Sequence, residues 1–341
     1  MEKEGKMKQE LKVLVLNSKF LNLSIEDLKS NTNAPVEWHV EDSSNKENIR
    51  KLLPNFNILV STSMDISWKN EAKNLKAIFM PGAGWDKIAS EAVPDGCVVT
   101  NSYEHENGIA EYVLMSMIAL DRELINSHNN FKENKWDYWP ARFGPFKELT
   151  GRNITVIGLG RIGKKVLEMT NVFGMNNYAV EEFDVQDEVK SQLNLKDVVK
   201  SKDMTKLISI SDFVVICVPY IESTKGMIGE KEIYSMKNDA FIINPARGPI
   251  IKEEHLYHAL KSNRIAGACL DTWYTYPKGE IDNPEPSEYP FYNLKNVIIT
   301  PHICGSTYGT ASRRMKIVAE NINNFYNEKP LINMVDELSK I

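Results

Sequence analysis

The segment Ile154-Thr-Val-Ile157-Gly158-Leu-Gly160-Arg161-Ile162-Gly163-Lys-Lys-Val166 constrains this 341-residue chain more than any other. A short β-branched run enters it and an amphipathic stretch leaves it, so its three glycines fall where a strand turns into a helix. Gly158 permits the tight turn, Gly160 lets a ligand approach bare backbone, and Gly163 lets helix and strand pack closely. The first N–H groups of such a helix face outward toward an anion. A dinucleotide pyrophosphate suits that geometry, with Arg161 and Ile162 inside the same loop. A purely structural turn is the plainer alternative.

The rest of the chain favours the ligand. From Asn153 to His302, six runs read as strands separated by helical segments: Ile154 to Ile157, Tyr178 to Glu181, Phe213 to Val218, Ala240 to Ile243, Ala266 to Leu270 and Val297 to Thr300. A doubly wound nucleotide-binding domain needs that series. Glu181, 18 residues after Gly163, stands where such a fold places an acid against the adenosine ribose; a solvated loop acid is the alternative. Glu181 and Glu182 together repel a 2′-phosphate, and no Lys or Arg follows before Lys190, which favours NAD over NADP.

Four further runs, Leu11 to Leu16, Ile58 to Ser61, Ala77 to Met80 and Val98 to Thr100, suggest a second, smaller sheet. The class is α/β with two Rossmann-like domains and a cleft between them. The expected boundaries are 8–104 with 306–332 for the smaller domain and 105–305 for the NAD domain. One long helix, from about Asn107 to Asn126, is the expected bridge. Another, from Thr307 to Tyr326, is expected to return to the first domain.

Composition closes off other classes. With 42% hydrophobic and 26% charged residues the chain is an ordinary globular sequence, neither disordered nor fibrous. The net charge of −5 comes with no basic stripe, so nucleic acid is not an expected partner. The longest apolar run, Tyr112 to Leu120, is about half the ~20 residues of a bilayer span, so no membrane segment is expected. Residues 1–10 are charged, lack the apolar core of a signal peptide and read as a frayed tail. Cys97, Cys217, Cys269 and Cys304 stand singly, as reduced thiols of a cytoplasmic protein, with no metal-site spacing. Between Phe131 and Phe146 lie six large rings, too many for an ordinary connection. They read as a homodimer contact, or else as packing over the other domain.

Three more segments resemble known chemistry: Ile243-Asn-Pro-Ala-Arg247-Gly248-Pro, Gly267-Ala-Cys-Leu-Asp271-Thr-Trp and Thr300-Pro-His302-Ile-Cys-Gly305. With the glycine segment, their order and spacing make the chain similar to the D-specific 2-hydroxyacid dehydrogenases from about Leu11 to Tyr326. The resemblance implies a flavodoxin-like substrate domain and hydride transfer between nicotinamide and C2 of a small 2-oxo or 2-hydroxy acid. It also implies that Arg247 anchors the substrate carboxylate and that His302 is the general acid/base. A guanidinium suits two oxygens, and an imidazole holds a proton near neutral pH. Asp271 then lies near the nicotinamide amide and Pro219 lines the cofactor crevice. The loop Pro81-Gly82-Ala83-Gly84-Trp85-Asp86 resembles the family's substrate loop, with Ala83 and Gly84 at the ligand, although a plain turn is the alternative. His105 is a further candidate substrate contact, or only a residue near the start of the long helix.

One position departs from the family. Five residues after Asp271 the family usually carries an acid that pairs with the histidine; here Tyr276 stands there, and Glu280 is the nearest later acid. A carboxylate beside an imidazolium raises its pKa by about one unit or more, whereas a phenol offers only a hydrogen bond. Two other readings stay open. Formate dehydrogenases also lack that acid, placing glutamine there, but the asparagine they carry six residues before a helix glutamate is His105 here. An NAD-sensing protein of the corepressor type is the other.

Overall fold

The computed structural model describes residues 9–17, 24–85, 87–277 and 282–339. The tail through residue 8, Asp86 of the candidate substrate loop and Glu280 lie outside the described residues. Two compact units emerge: the residues up to Glu104 with those from Ser306 onward, and His105–Gly305.

The first unit is a parallel sheet of β1 (Leu11–Asn17), β2 (Val36–Asp42), β3 (Ile58–Val60), β4 (Ala77–Phe79) and β5 (Val98–Thr100). Its order, β2-β1-β3-β4-β5, is the flavodoxin-like one. Strand side chains alternate between faces, so β1 sends Leu14 and Leu16 into one core and Val13 and Val15 into another. The second core is completed by Met315, Val318, Ala319 and Ile322 of the helix Tyr308–Tyr326. Both faces being covered, the central strands read as continuous apolar runs. β2 does not, because it is an edge strand whose seven residues are all half-buried or exposed, and sequence reading missed it.

The second unit carries seven parallel strands: β6 (Asn153–Ile157), β7 (Asn176–Val180), β8 (Leu195–Val199), β9 (Phe213–Ile216), β10 (Phe241–Asn244), β11 (Gly267–Leu270) and β12 (Val297–Ile299). Their order is β12-β11-β10-β9-β6-β7-β8, so the winding reverses at β6. Such a reversal opens a crevice beyond the strand ends. The sequence suggested six strands, and the seventh, β8, is again a partly exposed edge.

The long helix is also shorter than expected. It runs Glu106–Asp121 and buries Ile109, Val113, Met117 and Leu120. It stops where Glu123 takes a left-handed conformation (φ 48°), and a second helix, Leu124–Lys132, begins at once. Arg152, beside Asp121 and Asp212 and stacked 4.5 Å over the Phe213 ring, ties the helix end to the sheet. Among the described residues no helix is long and apolar enough to cross a membrane.

Candidate active site

The glycine turn leaves β6 at the winding reversal. Gly158 has φ +98°, and a Cβ there would lie 2.8 Å from Val218 Cγ1 and 2.9 Å from the Cys217 carbonyl carbon. At Gly163 a Cβ would overlap the Gly158 carbonyl oxygen and sit 2.9 Å from Val156 Cγ1. Only Gly160 opens on unfilled space, with nothing within 4 Å of where a Cβ would sit. It is the N-cap of the helix Arg161–Val172. A bare backbone, an open cradle and a helix N-terminus together fit a pyrophosphate.

Around that cradle the other candidates divide. Arg161 is exposed, while Ile162 packs against the core, which leaves its backbone as the part available to a ligand. Glu181 follows β7 and turns back on the loop, accepting N–H bonds from Leu159 (2.7 Å) and Phe183 (3.2 Å). Its neighbour Glu182 instead takes the Ser201 N–H at 2.9 Å, which with the Ser201 hydroxyl holds its carboxyl below the usual range. Pro219 is exposed beyond β9, its carbonyl accepting the Thr224 hydroxyl at 2.6 Å.

Three further strand ends carry the remaining candidates. After β10, Asn244 forms an Asx turn: its Oδ1 accepts the Ala246 N–H (3.1 Å) and its Nδ2 donates to the Arg247 carbonyl (2.9 Å). Gly248 lets that turn press on its neighbour, since a Cβ there would lie 2.6 Å from the Trp273 carbonyl carbon.

After β11, Asp271 is wholly buried. Its carboxylate accepts the Thr300 hydroxyl and the N–H groups of Ile303 (2.8 Å) and Cys304 (2.9 Å). Those bonds hold the backbone just after His302 and the Thr300 side chain just before it, and His302 itself takes a left-handed conformation (φ 60°) uncommon for a side chain with a Cβ. Asp271 thus acts on the histidine's loop, a partner set that the sequence did not announce. Trp273 adds to the grip by donating Nε1–H to the Thr300 carbonyl at 2.9 Å.

Tyr276 stands at the meeting point. Its Oη accepts the Trp273 N–H at 3.1 Å and lies 3.0 Å from His302 Nδ1. Partial burial raises its phenol above the usual tyrosine value, and the positive charge of Arg247 works against that rise. One phenol therefore touches the imidazole and feels the guanidinium. Cys304 is a buried core residue whose thiol burial pushes up. His105 precedes the helix Glu106–Asp121, and a Cβ on Gly305 would lie 3.5 Å from its own Cβ.

Ala83 and Gly84 belong to the first unit, in the turn after β4. There the Ala83 carbonyl accepts Asn101 Nδ2 (2.8 Å) and the Gly82 carbonyl accepts the Ser102 N–H (3.0 Å). Ala83 is half-buried and Gly84 exposed.

Comparison with known proteins matches the chain to one family. Residues 114–304 match the family described as D-isomer specific 2-hydroxyacid dehydrogenase, NAD binding domain. A D-3-phosphoglycerate dehydrogenase of Archaeoglobus fulgidus is 32% identical over 88% of this chain, which spans about half (55%) of that relative's length. A glyoxylate reductase of Korarchaeum cryptofilum is 29% identical over 88% of this chain and 89% of its own. Among solved structures, a D-isomer specific 2-hydroxyacid dehydrogenase family protein of Aeromonas salmonicida superposes with a TM-score of 0.81. At 22% identity it covers 96% of this chain and 100% of that one, which establishes the fold. The chain belongs to the D-isomer specific 2-hydroxyacid dehydrogenase family and carries that family's NAD-binding domain, with NAD as its cofactor.

Proposed function

We propose that this chain is an NAD-dependent reductase of a small 2-oxo acid, of the size of glyoxylate or hydroxypyruvate. The observation that carries the reading is Tyr276, which contacts His302 Nδ1 at 3.0 Å while lying in the field of Arg247. That supports a cation for the carboxylate and a ring for the proton on one patch.

Bound cofactor supplies the hydride. Arg247 pairs with the substrate carboxylate and polarises the carbonyl oxygen as it gains charge. His302, with Nδ1 on Tyr276, donates its other ring proton to that oxygen. Asp271 holds the histidine loop, and its position beside it suits the family role near the nicotinamide amide. Glu181 has lone pairs beyond its two backbone bonds for ribose hydroxyls. We assign Ala83 and Gly84 to substrate binding on the exposure of their own turn, and His105 on its place beside Gly305.

We infer a homodimer through residues 131–146. The helix Leu124–Lys132 buries none of its residues, and Phe131 (57%), Trp136 (52%) and Trp139 (51%) stand exposed. Rings so placed are favoured interface anchors. Four free cysteines fit a reducing cytoplasm.

Mixing the protein with NADH and a panel of 2-oxo acids, and following absorbance, tests the activity. Turnover of one supports the reading. NADH binding without turnover of any overturns it in favour of a sensor, and turnover of formate with NAD overturns it in favour of formate oxidation. Gel filtration of wild type and Trp139→Glu tests the dimer.

A further inference from the structure

We propose that Tyr276 donates its phenolic proton to His302 Nδ1, fixing the neutral ring as the Nε2–H tautomer, so that a carbonyl is still recognised after the ring has lost its charge. The recognition half of this rests on the 2-oxo acid reading above; the tautomer itself does not.

The chemistry of the contact sets the direction. A carboxylate can only accept, so an acid beside Nδ1 obliges that nitrogen to carry hydrogen and leaves a neutral ring with a lone pair on Nε2. A phenol can donate. Oη of Tyr276 already accepts the Trp273 N–H at 3.1 Å, and His302 Nδ1 stands 3.0 Å away as the strongest acceptor among its partners. An imidazole nitrogen is a better acceptor than a phenol oxygen, so the stronger pairing of the two runs from O–H to Nδ1. Burial keeps the phenol protonated through the neutral range, so the donor is present whenever the ring is neutral.

Four described neighbours bear on this contact. Arg247 is a cation in reach of Tyr276. The Asp271 carboxylate is occupied by the Thr300 hydroxyl and two N–H groups. Burial keeps the Cys304 thiol neutral. His105 flanks Gly305.

Recognition and chemistry then separate. Reduction still needs the imidazolium: its Nε2–H bond breaks, the new O–H bond forms, and the ring is left neutral. Binding of a carbonyl needs only a donor at Nε2, and the neutral tautomer keeps one. A 2-hydroxy acid, whose O–H needs an acceptor there, is disfavoured. Tyr276 is accordingly a positioning residue that biases the site toward the reductive direction.

The test has two parts. Histidine side chains labelled with nitrogen-15 report tautomer directly by NMR in the whole protein, with His302→Asn used to assign the signal. Above the ring's pKa the wild type is expected to show Nε2–H, and Tyr276→Glu to show Nδ1–H. In parallel, oxamate binding to the NADH-loaded protein is titrated against pH and compared with kcat. In wild type kcat should fall roughly tenfold per pH unit above the ring's pKa while oxamate Kd changes by less than about twofold. In Tyr276→Glu kcat and oxamate affinity should fall together, Kd rising as kcat drops. A wild-type Nδ1–H signal, or oxamate affinity falling in step with kcat, overturns the proposal. Absence of both oxamate binding and turnover overturns the reductase reading instead, and the NMR result still decides the tautomer.

Discussion

Two turns at the strand ends of one sheet are specified by different physics. The turn after β6 is set by exclusion: at Gly158 and Gly163 any Cβ meets backbone or a packed side chain. The turn after β11 is set by hydrogen bonds: Trp273, Tyr276, Thr300 and Asp271 hold one another and the His302 loop. Overlap admits no substitute, whereas a hydrogen-bonding position accepts any group that offers a donor or acceptor in the right place. That difference explains how a phenol can serve in the turn after β11 while the turn after β6 requires glycine.

The sharpest way to break the contrast is inside the glycine turn. Gly163→Ala forces strand and helix apart and is expected to cost about 3 kcal/mol or more, with NADH binding lost. Gly160→Ala enters open space, so its urea midpoint should match wild type while NADH affinity drops about tenfold through loss of the close approach. Urea denaturation and a fluorescence titration with NADH separate the two. Equal destabilisation by both alanines would mean that exclusion is not what distinguishes them.

In the hydrogen-bonded turn, Asp271→Asn is the next largest effect. The amide has one acceptor oxygen for three donors, and its NH2 group would face a backbone N–H. A loss of about 2 kcal/mol is expected, together with a fall in kcat as the left-handed backbone of His302 relaxes. Unchanged stability alongside a large rise in the Km for NADH would instead place the carboxylate's main role at the cofactor.

Tyr276→Glu sharpens the comparison at smaller scale. A carboxylate favours the imidazolium and so raises the pKa of His302. Reduction needs the protonated ring, and the high-pH limb of its rate profile should therefore move up by about one unit. An unmoved limb would mean that another group already supplies the missing charge.

The same contrast governs what could be read from the sequence. The glycine turn was legible because exclusion leaves a single residue type, and its place after an apolar strand fixed the context. The strand ends that bear Arg247 and His302 were legible from their apolar runs. Edge strands β2 and β8 were not, because a strand with one free side needs no continuous apolar run. Nor was the break at Glu123, since the residue sits in a left-handed turn that no glycine or proline marks. The grip of Asp271 on Ile303 and Cys304 was hidden for another reason: it joins backbone groups 32 and 33 residues away, and backbone donors leave no trace in residue identity.

The smallest effect lies where hydrogen-bond direction leaves no choice. Ser116 Oγ donates to the Tyr112 carbonyl at 2.7 Å, and Cys269 Sγ donates to Ser116 Oγ at 3.1 Å. The single hydroxyl proton of Thr300 goes to Asp271, so Tyr112 is the donor in its bond to Thr300. Tyr112→Phe removes that donor together with the hydroxyl's 3.3 Å contact to Cys269 Sγ, and leaves the Thr300-to-Asp271 bond in place. About 1 kcal/mol of stability should be lost, with the pH profile of reduction unmoved. The Tyr276 contact differs in that its proton has two places to go, and only there does a substitution reach the titration of the ring. If Tyr112→Phe shifted the profile as far as Tyr276→Glu, the two phenols would be parts of one network and His302 would be governed from both.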